Sequence, residues 1–255
     1  DNAEGGSVSV RAGEYSEGDG FQTTATGNVG MPIGNDGFLS ISGEMSQSDF
    51  TSRSEQYCES WFCLADQDPD FIAAAENASL EGDVVQPWGQ PNSEGARLFF
   101  NAGYDLGGGK ELYAFGNYSE SEADGSFYYR YPGNGTIEDL REEDGSVYSP
   151  LEKFPGGFTP RFFGEVTDYS LVSGLKGEMD SGILYDFSAR YGLSEVAYTL
   201  KNTINPSMGP DSPTSFKPGT LANEEVQLQA DFSKELDWGM SAPVVAAFGL
   251  SYMDE

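Results

Sequence analysis

The feature that most constrains this chain is an alternation of apolar and polar residues with a period of two, which returns along its whole length between connections that are by turns short and long. Period two is the repeat of a β-strand, whose successive side chains point to opposite faces of a sheet. It is clearest where Val226, Leu228, Ala230 and Phe232 alternate with Gln227, Gln229, Asp231 and Ser233. Leu98, Phe100, Ala102, Tyr104 and Leu106 alternate in the same way with Phe99, Asn101, Gly103 and Asp105. So do Leu39, Ile41, Gly43 and Met45 with Ser40, Ser42, Glu44 and Ser46, and Tyr185, Phe187, Ala189 and Tyr191 with Asp186, Ser188, Arg190 and Gly192. Residues 8–12, 25–31, 111–122, 169–179 and 245–252 complete a set of about nine expected strands.

The connections sort into two kinds. Gly34-Asn35-Asp36-Gly37, Gly107-Gly108-Gly109-Lys110 and Asp180-Ser181-Gly182 carry residues that tolerate positive φ and are expected to close hairpins tightly. Residues 49–96, 123–165 and 200–221 are long and irregular, and they follow every second strand. In an up-and-down antiparallel barrel alternate connections share a rim, so short turns collect at one end and long loops at the other. That asymmetry, with strands of about 10 to 14 residues, is the pattern of a transmembrane β-barrel with periplasmic turns and extracellular loops. A soluble β-sandwich also alternates, but its strands are shorter and its loops are not long on one side only.

Charge and composition narrow the function. The formal net charge is −29 with no histidine, which argues against nucleic-acid binding, because phosphate attraction needs a surplus of Lys and Arg. Without histidine neither a Ser-His-Asp nor a Cys-His arrangement can be built, and no phosphate-binding glycine motif follows a strand. No two carboxylates stand out as a glycosidase pair. The expectation is a protein that is not an enzyme. No run of 18 apolar residues exists to make a transmembrane helix, which leaves barrel strands untouched as a way to cross a membrane.

Four sets of loop residues are candidates for function. Cys58 and Cys63 are the only cysteines, and are read either as a short loop disulfide formed in an oxidising compartment or as two free thiols. Asp66, Asp68 and Asp70 offer three carboxylates at alternating positions, which a Ca²⁺ ion could use, or else Asp68 or Asp70 caps a helix over 71–76. No other cofactor is expected. Trp61, Phe62, Trp88, Phe127, Tyr128, Tyr129, Tyr131 and Tyr148 cluster in the two longest loops, where aromatic faces gather sugars or aromatic chelates. Alternatively they pack the loops together or form an interfacial aromatic girdle. Arg130 and Arg161 stand among them as candidates for an anionic group. The acidic cluster from Glu138 to Asp144 reads as a solvated loop.

Beyond periodicity, the chain resembles a known family at particular stretches. Asp1-Asn2-Ala3-Glu4-Gly5-Gly6-Ser7-Val8-Ser9-Val10 resembles the passage from the plug domain into the first barrel strand of TonB-dependent outer-membrane receptors. Gly27-Asn28-Val29-Gly30-Met31-Pro32-Ile33-Gly34 with Asp36-Gly37-Phe38 is similar to that family's second strand and first periplasmic turn. Glu111 to Tyr118 and Asn202 to Phe216 are similar to segments of a large subgroup of it. The resemblance implies that residues 1–255 are the N-terminal part of a receptor barrel, the plug domain and the C-terminal barrel strands lying outside them. It implies an outer-membrane location in a Gram-negative bacterium, contact with outer-membrane lipid and energy supplied by the TonB complex through the plug. A scarce extracellular nutrient, a sugar, peptide or chelate, would be bound at the outer loops and imported. The acidic composition favours neutral sugars or peptides over anionic chelates. Two other readings are a receptor-derived β segment with a structural or assembly role, and a passive porin-like barrel.

Overall fold

The computed structural model describes residues 4–54, 88–131, 133–138, 140–154 and 157–255. The protein is all-β. Nine strands run as β1 (Gly5–Gly13), β2 (Gln22–Ile33), β3 (Gly37–Ser48), β4 (Asn92–Gly107), β5 (Lys110–Ser126), β6 (Arg161–Glu178), β7 (Leu184–Lys201), β8 (Ser215–Leu236) and β9 (Val244–Asp254). They form one sheet in sequence order, each strand antiparallel to the next. An up-and-down order is what short hairpins impose, since each returns the chain beside the strand it has just left. The β4–β5 hairpin shows the local cause. Gly107 pairs with Lys110, and Gly108 and Gly109 between them hold φ of 65° and 73°, the doubly positive geometry of the turn that matches the strands' right-handed twist.

Connections 34–36, 108–109, 179–183 and 237–243 lie at one end of the sheet, and 14–21, 49–91, 127–160 and 202–214 at the other. The long loops are shorter than the alternation predicts, because β4, β6 and β8 begin at Asn92, Arg161 and Ser215, and β5 and β7 reach Ser126 and Lys201. On the β5 extension the alternation is lost, as in Ala123-Asp124-Gly125-Ser126, so the strand continues where the hydropathy signal has stopped. Pairing to neighbours, rather than alternation, sustains it there.

The register gathers the two kinds of residue onto two faces. One row across the sheet runs Val8, Gly27, Gly43, Leu98, Tyr118, Tyr169 and Leu193, and the next runs Gly6, Val29, Ile41, Phe100, Gly116, Leu171, Tyr191 and Val226. The row on the opposite face reads Ser7, Asn28, Ser42, Phe99, Asn117, Ser170, Gly192 and Glu225. No second layer covers the apolar face among the described residues: Val8 is 84% exposed and Leu250 63%. The compact core lies elsewhere, in the long loops. Ile137, Tyr148, Phe154, Phe158 and Ile204 are buried together with Leu140 and Leu151 against them. These residues come from connections 127–160 and 202–214, so two loops share one small core.

Candidate functional site

The polar face carries a ladder of paired charges. Arg97 donates to Glu44 at 2.6 Å from directly opposite positions, Lys176 lies 3.1 Å from Glu111, and Arg190 lies 3.5 Å from Glu225. Asn28 donates to Ser42 at 2.8 Å, and Ser170 to Asn117 at 2.5 Å. At the turn end of this face Phe38, Asn101, Asp105, Glu111, Tyr113 and Asp186 border an open hollow of about 900 Å³. These groups are half-exposed, and each ion pair contributes little on its own. Together they make a continuous hydrophilic wall.

At the other end the long loops are tied to each other by named bonds. Asp19 of the first loop pairs with Arg53 of the second and accepts from the amide of Ser52 at 3.1 Å. Burial alone would raise the Asp19 carboxyl, but the Arg53 guanidinium and the Ser52 amide outweigh it and hold it below the usual range. The Tyr15 hydroxyl donates to Gln90 at 2.9 Å. On the far side, Lys153 donates to the carbonyl oxygens of Pro210, at 2.9 Å, and of Ser212. The Asn202 amide donates to Thr159 at 3.0 Å.

The structure divides the sequence candidates by exposure. Trp88 is 59% exposed, Phe127 46% and Tyr128 65%, and the Trp88 and Tyr128 rings meet edge to face at 5.7 Å. These three present aromatic surface to solvent at the long-loop end. Tyr129 and Tyr148 are buried, Tyr148 inside the shared loop core, so they support the loops and do not offer open stacking faces. Tyr131 is half-buried, with its ring centroid 6.2 Å from that of Tyr129. Arg130 forms a bridge with Phe158 and donates to the carbonyl of Tyr128 at 3.3 Å. Arg161 sits not in a loop but at the start of β6, where its guanidinium pairs with Asp124 of β5 and lies 5.1 Å from the centre of the Phe163 ring. Lys201 approaches the same ring at 4.3 Å.

Trp61, Phe62, Cys58, Cys63, Asp66, Asp68, Asp70 and the expected helix over 71–76 lie outside the described residues. Among the described residues no three metal-ligating side chains converge. Sequence reasoning missed two aromatic residues. Phe162 stacks on Tyr198 at 4.9 Å and meets Phe127 at 5.7 Å, continuing the exposed loop aromatics down onto β6 and β7. Both stand on the polar face of strand ends where alternation fades, and their shared i, i+2 parity with Val166 and Val196 was the available signal.

No family model and no curated protein match the chain. Among solved structures it is similar to two variants of the ferric enterobactin receptor from Pseudomonas aeruginosa, at 13% and 12% sequence identity and a TM-score of 0.49 each. The similarity covers 97% of this chain and 30% of the receptor chain, so the chain spans about 30% of the length of the structures it matches.

Proposed function

We propose that this chain is part of the barrel of an outer-membrane receptor of the TonB-dependent kind, binding an extracellular nutrient at its long-loop end and importing it with TonB-coupled energy. One observation carries the membrane placement. On the apolar face β5 presents Leu112, Ala114, Gly116 and Tyr118, and β6 presents Tyr169, Leu171, Ser173, Leu175 and Gly177. Beside them β7 presents Tyr185, Phe187, Ala189, Tyr191 and Leu193, and β8 presents Val226, Leu228, Ala230 and Phe232. No charged side chain interrupts these runs, while the reverse face of the same strands carries Glu111, Lys176, Asp186, Arg190 and Asp231. Eight steps from Tyr185 to Leu193 rise about 26 Å along the strand, or about 20 Å across a bilayer at ordinary barrel tilt, close to the apolar band of such barrels.

The band ends where a lipid boundary would place it. Tyr118, Tyr169 and Tyr191 stand at its loop side, with the Tyr118 hydroxyl donating to Glu120 at 2.9 Å and that of Tyr191 to Glu224 at 2.8 Å. Tyrosines at an interface keep the ring in lipid and the hydroxyl in polar surroundings. Beyond them the same face turns to Glu120, Glu122, Glu165 and Glu195. The exposed Phe127 and Tyr128 on a loop held by its own core, with the exposed Trp88 ring against Tyr128, support ligand capture over passive conduction. The partners on this reading are outer-membrane lipid, a small extracellular ligand and TonB acting through a plug domain. The calcium reading of Asp66, Asp68 and Asp70 remains a proposal for the second loop.

Paired substitutions in the full-length protein, expressed in a Gram-negative host, test this. Leu228→Arg places a charge in the band at a cost of about 2–4 kcal/mol and is expected to deplete the protein from the outer-membrane fraction. Gln229→Arg, on the polar face, is expected to leave it there. Equal recovery of both variants would overturn the membrane placement. Uptake that persists without TonB would overturn the energised-receptor reading.

A further inference from the structure

The cations of the loop connections are few, and every one is engaged with the protein itself. Among the described residues, the four connections at the long-loop end hold ten Asp and Glu residues against four Lys and Arg. Those four are Arg53, Arg130, Arg141 and Lys153. Arg53 pairs with Asp19, and Lys153 donates to two backbone carbonyls. Arg130 donates to the Tyr128 carbonyl at 3.3 Å and Arg141 to the Leu140 carbonyl at 3.0 Å. At the adjoining strand ends Arg161 is occupied by Asp124 and the Phe163 ring and Lys201 by that ring, while Arg11 near the end of β1 and Lys217 at the start of β8 are exposed. An anionic ligand at the loops would therefore meet an excess of carboxylates and would have to break existing contacts to gain a cationic partner from them.

The exposed surface at the same end suits the opposite charge. Trp88, Phe127 and Tyr128 present rings whose faces carry negative quadrupole density, and a cation over such a ring is attracted to it. The chain already makes this contact with its own cations at this end, Arg161 and Lys201 at Phe163 and Arg53 at Tyr15. The carboxylates around the mouth raise the local concentration of cations and so the rate at which they arrive.

We infer that the ligand captured at the long-loop end is positively charged, an amine- or guanidine-bearing molecule held by cation–π contact with Trp88, Phe127 and Tyr128 inside a field of carboxylates. This rests on the reading of that end as a ligand-binding mouth. It adds the charge class of the ligand and the contact that selects it.

The test uses the full-length protein in detergent and three capped tripeptides of one backbone and different charge: tri-lysine, tri-serine and tri-glutamate. At low salt tri-lysine is expected to bind at least about tenfold more tightly than tri-serine, with tri-glutamate weakest. The double variant Trp88→Ala, Tyr128→Ala is expected to cut tri-lysine affinity at least about fivefold while leaving outer-membrane recovery unchanged. Tri-serine or tri-glutamate binding as tightly as tri-lysine, with the same dependence on the two rings, would overturn the charge inference and keep the mouth. Tri-lysine binding that ignores the double variant would overturn the inference by showing attraction to carboxylates alone. Neither outcome touches the membrane placement, which the Leu228→Arg and Gln229→Arg pair decides separately.

Discussion

The hydroxyl of Tyr113 on β5 donates a 2.8 Å hydrogen bond to the carboxylate of Asp186 on β7, reaching across the whole width of β6. The reach is open because the ring crosses β6 at Gly174, where a methyl group would overlap the ring atoms. Gly174→Ala is therefore expected to displace Tyr113 and break the bond to Asp186. The cost is about 1–3 kcal/mol, as for other overpacked sites. Tyr113→Phe, which loses the hydrogen bond alone, is expected to cost about 1 kcal/mol. Unfolding midpoints of the two variants in one detergent check the order, and a milder effect of Gly174→Ala would show that the ring relocates freely.

The Tyr148 hydroxyl is buried in the loop core with no hydrogen-bond partner among the described residues. Tyr148→Phe should leave the core intact or stabilise it by about 1 kcal/mol, because an unsatisfied polar group is removed. Tyr148→Ala should cost about 3–5 kcal/mol by opening a cavity. Burial first, then Glu142 and Glu152, push the phenol up from its usual value. A raised phenol contributes stability that is present below its unfolded value of about 10 and is lost as pH climbs through the folded one. Alkaline loosening of loop 127–160, followed by limited proteolysis, should shift to higher pH in Tyr148→Phe.

Asp19 and Arg53 join the first two loops, and the lowered carboxyl fixes the direction of the pH effect. A depressed carboxyl contributes stability that is present above its unfolded value of about 3.9 and is lost as pH falls through the folded one. The amide of Ser52, which donates to the same carboxylate, should stay protected from hydrogen exchange at pH 5 and lose protection only in stronger acid. In Asp19→Asn that protection should already be reduced at pH 7. An unchanged Ser52 amide in the variant would remove the carboxylate from any role in joining the loops.

Lys153 fastens loop 127–160 to loop 202–214 through the carbonyls of Pro210 and Ser212. Lys153→Met keeps much of the aliphatic stem and removes the ammonium donors, at an expected cost of about 1–3 kcal/mol. Protease cleavage within 202–214 should accelerate, while strands β6 and β7 keep their protection. Unaltered cleavage would mean that Ile204 in the shared core holds the second loop unaided.

The strands were legible because their signal is local. Val226 to Ser233 alternates in the sequence and alternates between faces in the sheet, and Gly107 to Lys110 reads as the tight turn it forms. Legibility fell off at the outer strand ends, where Glu120, Glu122 and Glu165 share a face with Tyr118 and Tyr169. There the carboxylates break the apolar face, and only pairing between strands distant in sequence shows that β5 and β6 continue. Which of the described aromatic loop residues are buried and which exposed was not legible.

What the sequence by itself determined is the all-β class, the up-and-down order, the turn end and the loop end, and which residues share a face. All of these follow from the two-residue repeat of an extended backbone and from glycines at positive φ, properties of neighbours along the chain. Tertiary structure alone decided that Tyr148 is buried while Tyr128 is exposed, that Arg161 pairs with Asp124, and that Phe162 and Tyr198 extend the aromatic surface. Those outcomes depend on which distant segments meet, as Tyr148 meets Ile204, and on how little room or charge is left once they have met.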